Sequence, residues 1–230
     1  MDGLLSELDE YAVEEALKIA ESGEGAVTVI TIGPDQAADA VKKALQMGAD
    51  KGVHVNDEAI KGSDALATSL ILAEAIKKVG MPDLVLTGMA STDGTMGVVP
   101  AMLAERLALP QVTYASELTV DGGPVTARRD GDTASETIVG AVPALISVTD
   151  QINEPRYPSF KGIMAAKKKP VETWTLADLG IDAGQVGAAG SSTEVISVAK
   201  RPPREQGEIV TDEGDGGTKL AEFLAGRKLI

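Results

Sequence analysis

The sequence contains no cysteine, so neither a disulfide framework nor a thiolate metal site exists in it. Histidine occurs once, at His54, which excludes zinc sites built on several imidazoles and triads that need a second one. Aromatic residues make up only 3% of the 230 residues, so the core is built from Ala, Val, Ile and Leu. Such residues suit helices lying on a parallel sheet, where buried strands read as short aliphatic runs. No segment approaches the ~18–20 consecutive apolar residues of a membrane span, and no basic stretch followed by an apolar run opens the chain. Basic residues are the minority, 21 Lys+Arg against 35 Asp+Glu, for a net charge of -14. That field repels nucleic acid and anionic membrane surfaces. A cytosolic address is the expectation.

What is present is ordinary for a globular protein: 43% hydrophobic and 24% charged residues. The length suggests one domain with appendages or two small domains. Glu10 to Glu21 reads as a helix, with Ala12, Val13, Ala16, Leu17 and Ala20 on one face. Ala26 to Ile32 is β-branched and apolar, hence a buried strand. Gly33-Pro34 turns the chain into a helix over 35–46, closed by Gly48. Gly52 to Asn56 is a short strand, and Ser63 caps a helix running to Val79. Leu84 to Leu86 is again a strand, and Pro100 to Leu107 a helix. This β-α-β-α-β rhythm predicts an α/β fold with a doubly wound, mostly parallel sheet.

From residue 111 the pattern changes. Val112 to Tyr114, Glu117 to Val120 and Val125 to Arg129 alternate like strands, with Asp121-Gly122-Gly123-Pro124 as a hairpin turn. Ala144 to Val148 is a further strand. After Gly180 the chain is rich in Gly, Ser and Pro, interrupted by a strand over Val195–Val198 and a helix over Lys219–Arg227. Residues 1–180 thus read as the α/β domain and 181–230 as an extended arm that packs on a partner.

Ligands in such sheets sit beyond the carboxyl ends of the strands. There the sequence places Gly88-Met89-Ala90-Ser91-Thr92-Asp93-Gly94-Thr95-Met96-Gly97-Val98-Val99, followed by a helix. Glycines let backbone N–H groups approach a phosphate, and the helix start adds positive potential. A plain surface loop has the same composition, so nucleotide binding and a ligand-free connection both stay open. The loop has neither the Lys of a P-loop nor a G-x-G-x-x-G pattern. Asn153 to Lys169 carries Arg156-Tyr157 between Pro155 and Pro158, then Phe160 and a basic run on an otherwise acidic chain. It suits a docking patch for an acidic partner, or a solvated helix with Phe160 in the core. Arg128 and Arg129, adjacent on a strand, suit either a cofactor phosphate or surface ion pairs. His54, between Val53 and Val55, reads as structural.

Glu10-Tyr11-Ala12-Val13-Glu14-Glu15-Ala16, Ala44 to Asp50, Asp83 to Gly88, and above all Asn153-Glu154-Pro155-Arg156-Tyr157 with Ile163-Met164-Ala165-Ala166-Lys167-Lys168-Lys169 carry a resemblance to the electron-transfer flavoprotein β subunits, of actinobacterial type. The resemblance covers nearly the whole chain. It implies an electron carrier rather than an enzyme: a heterodimer whose α subunit carries most of the FAD site, while this chain holds a structural AMP. AMP is then expected in Gly88 to Val99, with Ser6, Glu7, Leu8, Asp9 and Ile32 as further contacts. Asn153, Glu154, Pro155, Arg156, Tyr157, Phe160, Ile163 and Met164 are expected to dock flavin dehydrogenases of the acyl-CoA dehydrogenase type. Phe160 is the expected anchor, and Glu136 is expected near the flavin. Electrons then pass to a quinone reductase, in the setting of fatty acid oxidation.

Two departures bear on these expectations. Family members begin with a further strand and loop, Val-Lys-x-Val-Pro-Asp, whereas ten residues precede Tyr11 here. The expectation is a fold without its first strand, leaving a neighbouring strand edge unpaired. Ser6–Asp9 also lacks the Asn-Pro often found there. The competing readings are a bifurcating member with a second FAD and an independent ATP/AMP-binding sensor. Met96-Gly97-Val98-Val99, in place of Thr-Ala-Gln-Val-Gly, counts against the former.

Overall fold

The computed structural model describes residues 5–23, 25–121, 123–204, 207 and 209–230. They fall into two compact units, Met1–Glu194 and Val195–Ile230.

The first unit opens with α1 (Glu7–Glu21), which begins before the expected Glu10 because Glu7, Asp9 and Glu10 suit the positive end of the helix dipole. β1 (Thr28–Ile32) follows, and a 3-10 turn over Asp35–Ala37 leads into α2 (Ala38–Met47). β2 (Lys51–Val55) precedes α3 (Ala65–Val79). The cap of α3 is Asp64, whose carboxylate accepts the Ala67 N–H at 2.9 Å. The expected cap, Ser63, is instead occupied by Ile60 O, to which its hydroxyl donates at 2.6 Å. β3 (Leu84–Gly88) and α4 (Val99–Leu107) complete the α/β half.

The second half adds β4 (Gln111–Val120), β5 (Pro124–Asp130), β6 (Ser135–Ala141), β7 (Ala144–Val148), α5 (Phe160–Ala166) and β8 (Val171–Trp174). β4 is one strand where two were expected. Its register shifts between Val112 and Ala115, where Tyr114 has φ +60°, and that irregularity is what breaks the alternation in the sequence. Gly122 of the expected hairpin lies outside the described residues. β6 and β8 were not anticipated. Both are mostly exposed, so neither carries the aliphatic signature of a buried strand.

The strands form two sheets, β1-β2-β8 and β3-β7-β4-β5-β6. The first is wholly parallel; the second is parallel across β3-β7-β4 and antiparallel across β4-β5-β6. The architecture is therefore the expected mostly parallel α/β fold. β1 and β3 are not hydrogen-bonded to each other, so the parallel strands do not form one continuous sheet. Helices bridge the break on both faces. On one, Ile71 and Ala75 of α3 pack on Val53 and Val55, while Ala73 and Ile76 pack with Val85, Leu145 and Ile30. On the other, Ala12 of α1 joins Ala144 and Ile146, and Leu17 joins Val27, Val41 and Leu45. At roughly 25 cal/mol per Å² of apolar surface, these two helices hold the sheets in place without a strand ladder between them. Leu176, Ile181 and Val186 close the core over β2, and α6 (Gly187–Gly190) follows. No helix among the described residues is long and apolar enough to cross a membrane.

Among its described residues the second unit has no helix or strand before α7 (Gly216–Gly226), which starts before the expected Lys219 because Asp212 accepts the N–H groups of Gly214 and Gly216 at 2.8 Å each. No strand forms over Val195–Val198. Its apolar side chains Ile196, Val198, Ile209, Leu220, Phe223, Leu229 and Ile230 are exposed.

Candidate functional site

The glycine-rich loop leaves the carboxyl end of β3 at Gly88 and enters α4 at Val99. The start of α1 lies directly on it: a Cβ added to Gly88 would sit 2.8 Å from Leu8 O and 2.9 Å from Asp9 Oδ1. Ser6 Oγ and Thr92 Oγ1 are 2.9 Å apart. Ser6–Asp9 and the loop, expected separately as nucleotide contacts, are thus brought together. The loop turns on its own bonds, with Thr95 N–H donating to Ser91 O at 3.1 Å and Gly94 N–H to Asp93 Oδ1 at 2.6 Å. The Ser91 hydroxyl and then the Gly94 N–H hold the Asp93 carboxyl below the usual range. Gly97 has φ +66°, and a Cβ there would meet the Tyr114 hydroxyl at 2.5 Å.

These residues fit a nucleotide phosphate. Val98, which precedes α4, provides no side-chain cap, so the Val99 and Ala101 N–H groups of the first turn are left uncapped, while Pro100 has none to donate. Asp93, the carboxylate within the loop, is turned back onto Ser91 and Gly94. Beside the loop lies an open cavity of about 450 Å³ lined by Leu5, Ser6, Glu7, Leu8, Tyr11, Thr92 and Asp150. Thr87 Oγ1, at the end of β3, is buried without a partner. Asp9 is pushed above the usual carboxylate range by burial, against a lowering contribution from the Gly88 N–H. Ile32 belongs to a different element. It ends β1 on the other sheet and packs with the cluster of Val53, Val55 and Ile71.

The other polar candidates are engaged within the chain. Glu136 accepts from Arg129 Nη2 at 2.6 Å and Nε at 2.9 Å on exposed β6. Arg128 pairs with Glu117 and Asp130. Both arginines form the surface ion pairs that were the plainer of the two readings. His54 is buried with Nε2 2.9 Å from Gly33 O, a structural bridge between β1 and β2. Among the described residues no cluster of His, Asp and Glu has metal-binding geometry.

The Asn153–Lys169 segment is held at several points and exposed between them. Asn153 Nδ2 donates to Tyr11 O and Glu15 Oε2, both at 3.0 Å. Arg156 reaches α1, with Nε 2.7 Å from Glu14 and Nη1 2.6 Å from Glu21. It therefore does not stand free as a rim charge. Ser159 caps α5 by accepting the Gly162 N–H at 3.0 Å. Gly162 lies so close to α2 that a Cβ would meet Gln46 O at 2.5 Å. Lys169 Nζ donates to Leu45 O and Gly48 O, tying the basic run to the end of α2. Between these ties Tyr157 is 92% exposed and Phe160 80% exposed, with Ile163 and Met164 beside them. The reading that put Phe160 in the core is excluded. Glu14, Glu15 and Glu21 are not legible from sequence as the residues that hold the segment. Nothing local marks a helix glutamate as the partner of an arginine so far along the chain.

Fold and site together define an α/β protein of doubly wound type, with a phosphate-suited loop at its strand ends and a braced, exposed aromatic segment. The description "Electron transfer flavoprotein domain" matches residues 1–179. The chain is 46% identical over 234 residues to the electron transfer flavoprotein subunit beta of Mycobacterium leprae, covering 100% of this chain and 88% of that protein. It is 39% identical over 224 residues to the subunit beta of Thermoanaerobacterium thermosaccharolyticum (96% and 86%). It is 32% identical over 238 residues to that of Megasphaera elsdenii (99% and 88%). The chain belongs to the electron transfer flavoprotein β-subunit family.

Proposed function

We propose that this chain is the β half of a heterodimeric electron carrier. An α subunit carries most of the FAD site, and the redox chemistry is that flavin's. This chain holds AMP as a structural nucleotide: Gly88–Val99 and the start of α4 take the phosphate, and Ser6–Asp9 closes over the loop. The Asn153–Lys169 segment docks flavin dehydrogenases of the acyl-CoA dehydrogenase type, and electrons leave towards a quinone reductase. The setting is cytosolic fatty acid oxidation. The Val195–Ile230 unit, with its exposed aliphatic side chains, serves as the arm that grips the α subunit. The observation that carries the docking role is the 80% exposure of Phe160 on a segment otherwise tied to the fold. An exposed aromatic beside basic residues is the composition of an interface anchor, not of a solvated helix.

The test is co-expression with an α subunit and purification through a tag on this chain. One FAD and one AMP per heterodimer supports the reading. A colourless homodimer holding ATP would replace it with the sensor reading.

A further inference from the structure

The brace on the Asn153–Phe160 segment is an ion pair of uneven burial. Arg156 bonds Glu14 through its backbone N–H (3.1 Å), Nε (2.7 Å) and Nη2 (3.0 Å), and bonds Glu21 through Nη1 (2.6 Å) and Nη2 (2.9 Å). The Glu14 side chain is 8% exposed, that of Arg156 32%, and that of Glu21 56%. Every nitrogen of the guanidinium is thus spent on α1, in the forked geometry that fixes a plane rather than a point. Pro155 and Pro158 flank Arg156-Tyr157 and restrict the backbone on either side. Tyr157 follows immediately and Phe160 opens α5 just beyond Ser159, and both are exposed.

We infer that Arg156 is a positioning residue of the docking segment: it acts through Glu14 and Glu21 of α1 to hold Tyr157 and Phe160 in their presenting geometry, and does not itself meet the partner's acidic surface. The inference rests on the docking role proposed above. Burial of Glu14 explains why the clamp persists. A buried carboxylate that loses its arginine is left as an uncompensated charge, so the segment stays shut on α1 unless both partners change. Side chains held in place before encounter lose less entropy on binding. The clamp therefore sets the affinity of docking, not the electron transfer that follows.

The experiment uses the heterodimer with Glu14→Gln and Glu21→Gln together, near-isosteric changes that keep Arg156 present. Two readouts are taken. The first is amide exchange at Arg156 and Tyr157. The second is electron uptake from an acyl-CoA dehydrogenase reduced by octanoyl-CoA. Exchange is expected to rise, and the half-saturating dehydrogenase concentration to rise about tenfold or more, on the scale of a partly buried arginine losing both its carboxylate partners. The limiting rate stays unchanged. Arg156→Lys, which keeps the charge but loses the fork, is expected to fall between the two. Unchanged exchange at Arg156 overturns the clamp. So does a lower half-saturating concentration, since a freed Arg156 that improves binding is a direct contact. Phe160→Ala separates the two readings. If it weakens uptake and the double variant does not, the clamp fails and docking stands. If neither affects uptake, the docking role fails, and exchange alone still decides whether the clamp holds the segment.

Discussion

The Tyr114 hydroxyl donates to Gly97 O across 3.4 Å and occupies the space where a side chain on Gly97 would begin. Both residues have positive φ, +60° for Tyr114 and +66° for Gly97. The β4 irregularity thus brings the Tyr114 hydroxyl against the glycine loop, and glycine at position 97 answers a close approach as well as a left-handed conformation.

Substitution at Gly97 is therefore expected to release the nucleotide. Gly97→Ala places a Cβ 2.5 Å from the Tyr114 oxygen, and the left-handed conformation adds roughly 1–2 kcal/mol of backbone strain for an L residue. Gly97→Glu adds a carboxylate where the phosphate is expected. AMP per purified heterodimer should fall well below that of the unmodified protein in both variants. Full occupancy in Gly97→Glu would remove the loop from the nucleotide site.

Much of this was legible beforehand. β1, β2 and β3 announced themselves as aliphatic runs, and β7 was read with its observed bounds, because buried parallel strands have few other compositions. β6 was not, since Ser135–Ala141 pairs at the sheet edge and shows a polar face to water. The strand read at Val195–Val198 has the right residues, but a strand needs a neighbour to pair with, and none of the described residues supplies one there. The glycine loop was visible as composition. Its contact with Asp9 was not, because it arises from α1 crossing the end of β3.

Asp9 gives a stability prediction with a definite sign. Burial raises its folded pKa above the ordinary 3.8. A raised carboxyl contributes stability that is complete below the ordinary value and is lost as pH rises through the folded value. Asp9→Asn keeps an acceptor for the Gly88 N–H and removes the charge. The variant should therefore melt higher at pH 7, by about 2–4 °C for each kcal/mol relieved, and the gain should vanish below pH 3.8. An unchanged melting temperature at pH 7 would show that Asp9 is hydrated where the burial indicates otherwise.

Phe160→Ala tests the anchor. Truncating a central aromatic of an interface costs about 2 kcal/mol or more, which corresponds to roughly a thirtyfold rise in half-saturating dehydrogenase concentration. Phe160 is 80% exposed, so its loss leaves no cavity, and heterodimer yield and melting temperature should be those of the parent. Unaltered uptake kinetics would move the docking surface elsewhere on the chain.

Ending the chain at Glu194 tests the arm. Val195–Ile230 is a compact unit by itself, and the buried core residues belong to the other unit, as far along as Val186. Its own α7 leaves Leu220 and Phe223 exposed, and Leu229 and Ile230 beyond the helix are exposed as well. An isolated helix of this length is marginal in water, since those shorter than about 12–15 residues lack the cooperativity to hold themselves. Burial on another protein would stabilise these apolar side chains by roughly 1.5–3 kcal/mol for each fully covered Leu, Ile or Phe. The truncated chain should keep the cooperative melting of the Met1–Glu194 unit while failing to co-purify with the α subunit. Paired replacement of Leu220 and Phe223 by Ser in the full chain should weaken co-purification in the same direction without touching the first unit. If the truncated chain still brings the α subunit through purification at full stoichiometry, the grip lies on the Met1–Glu194 unit and the exposed apolar residues of the arm need another partner.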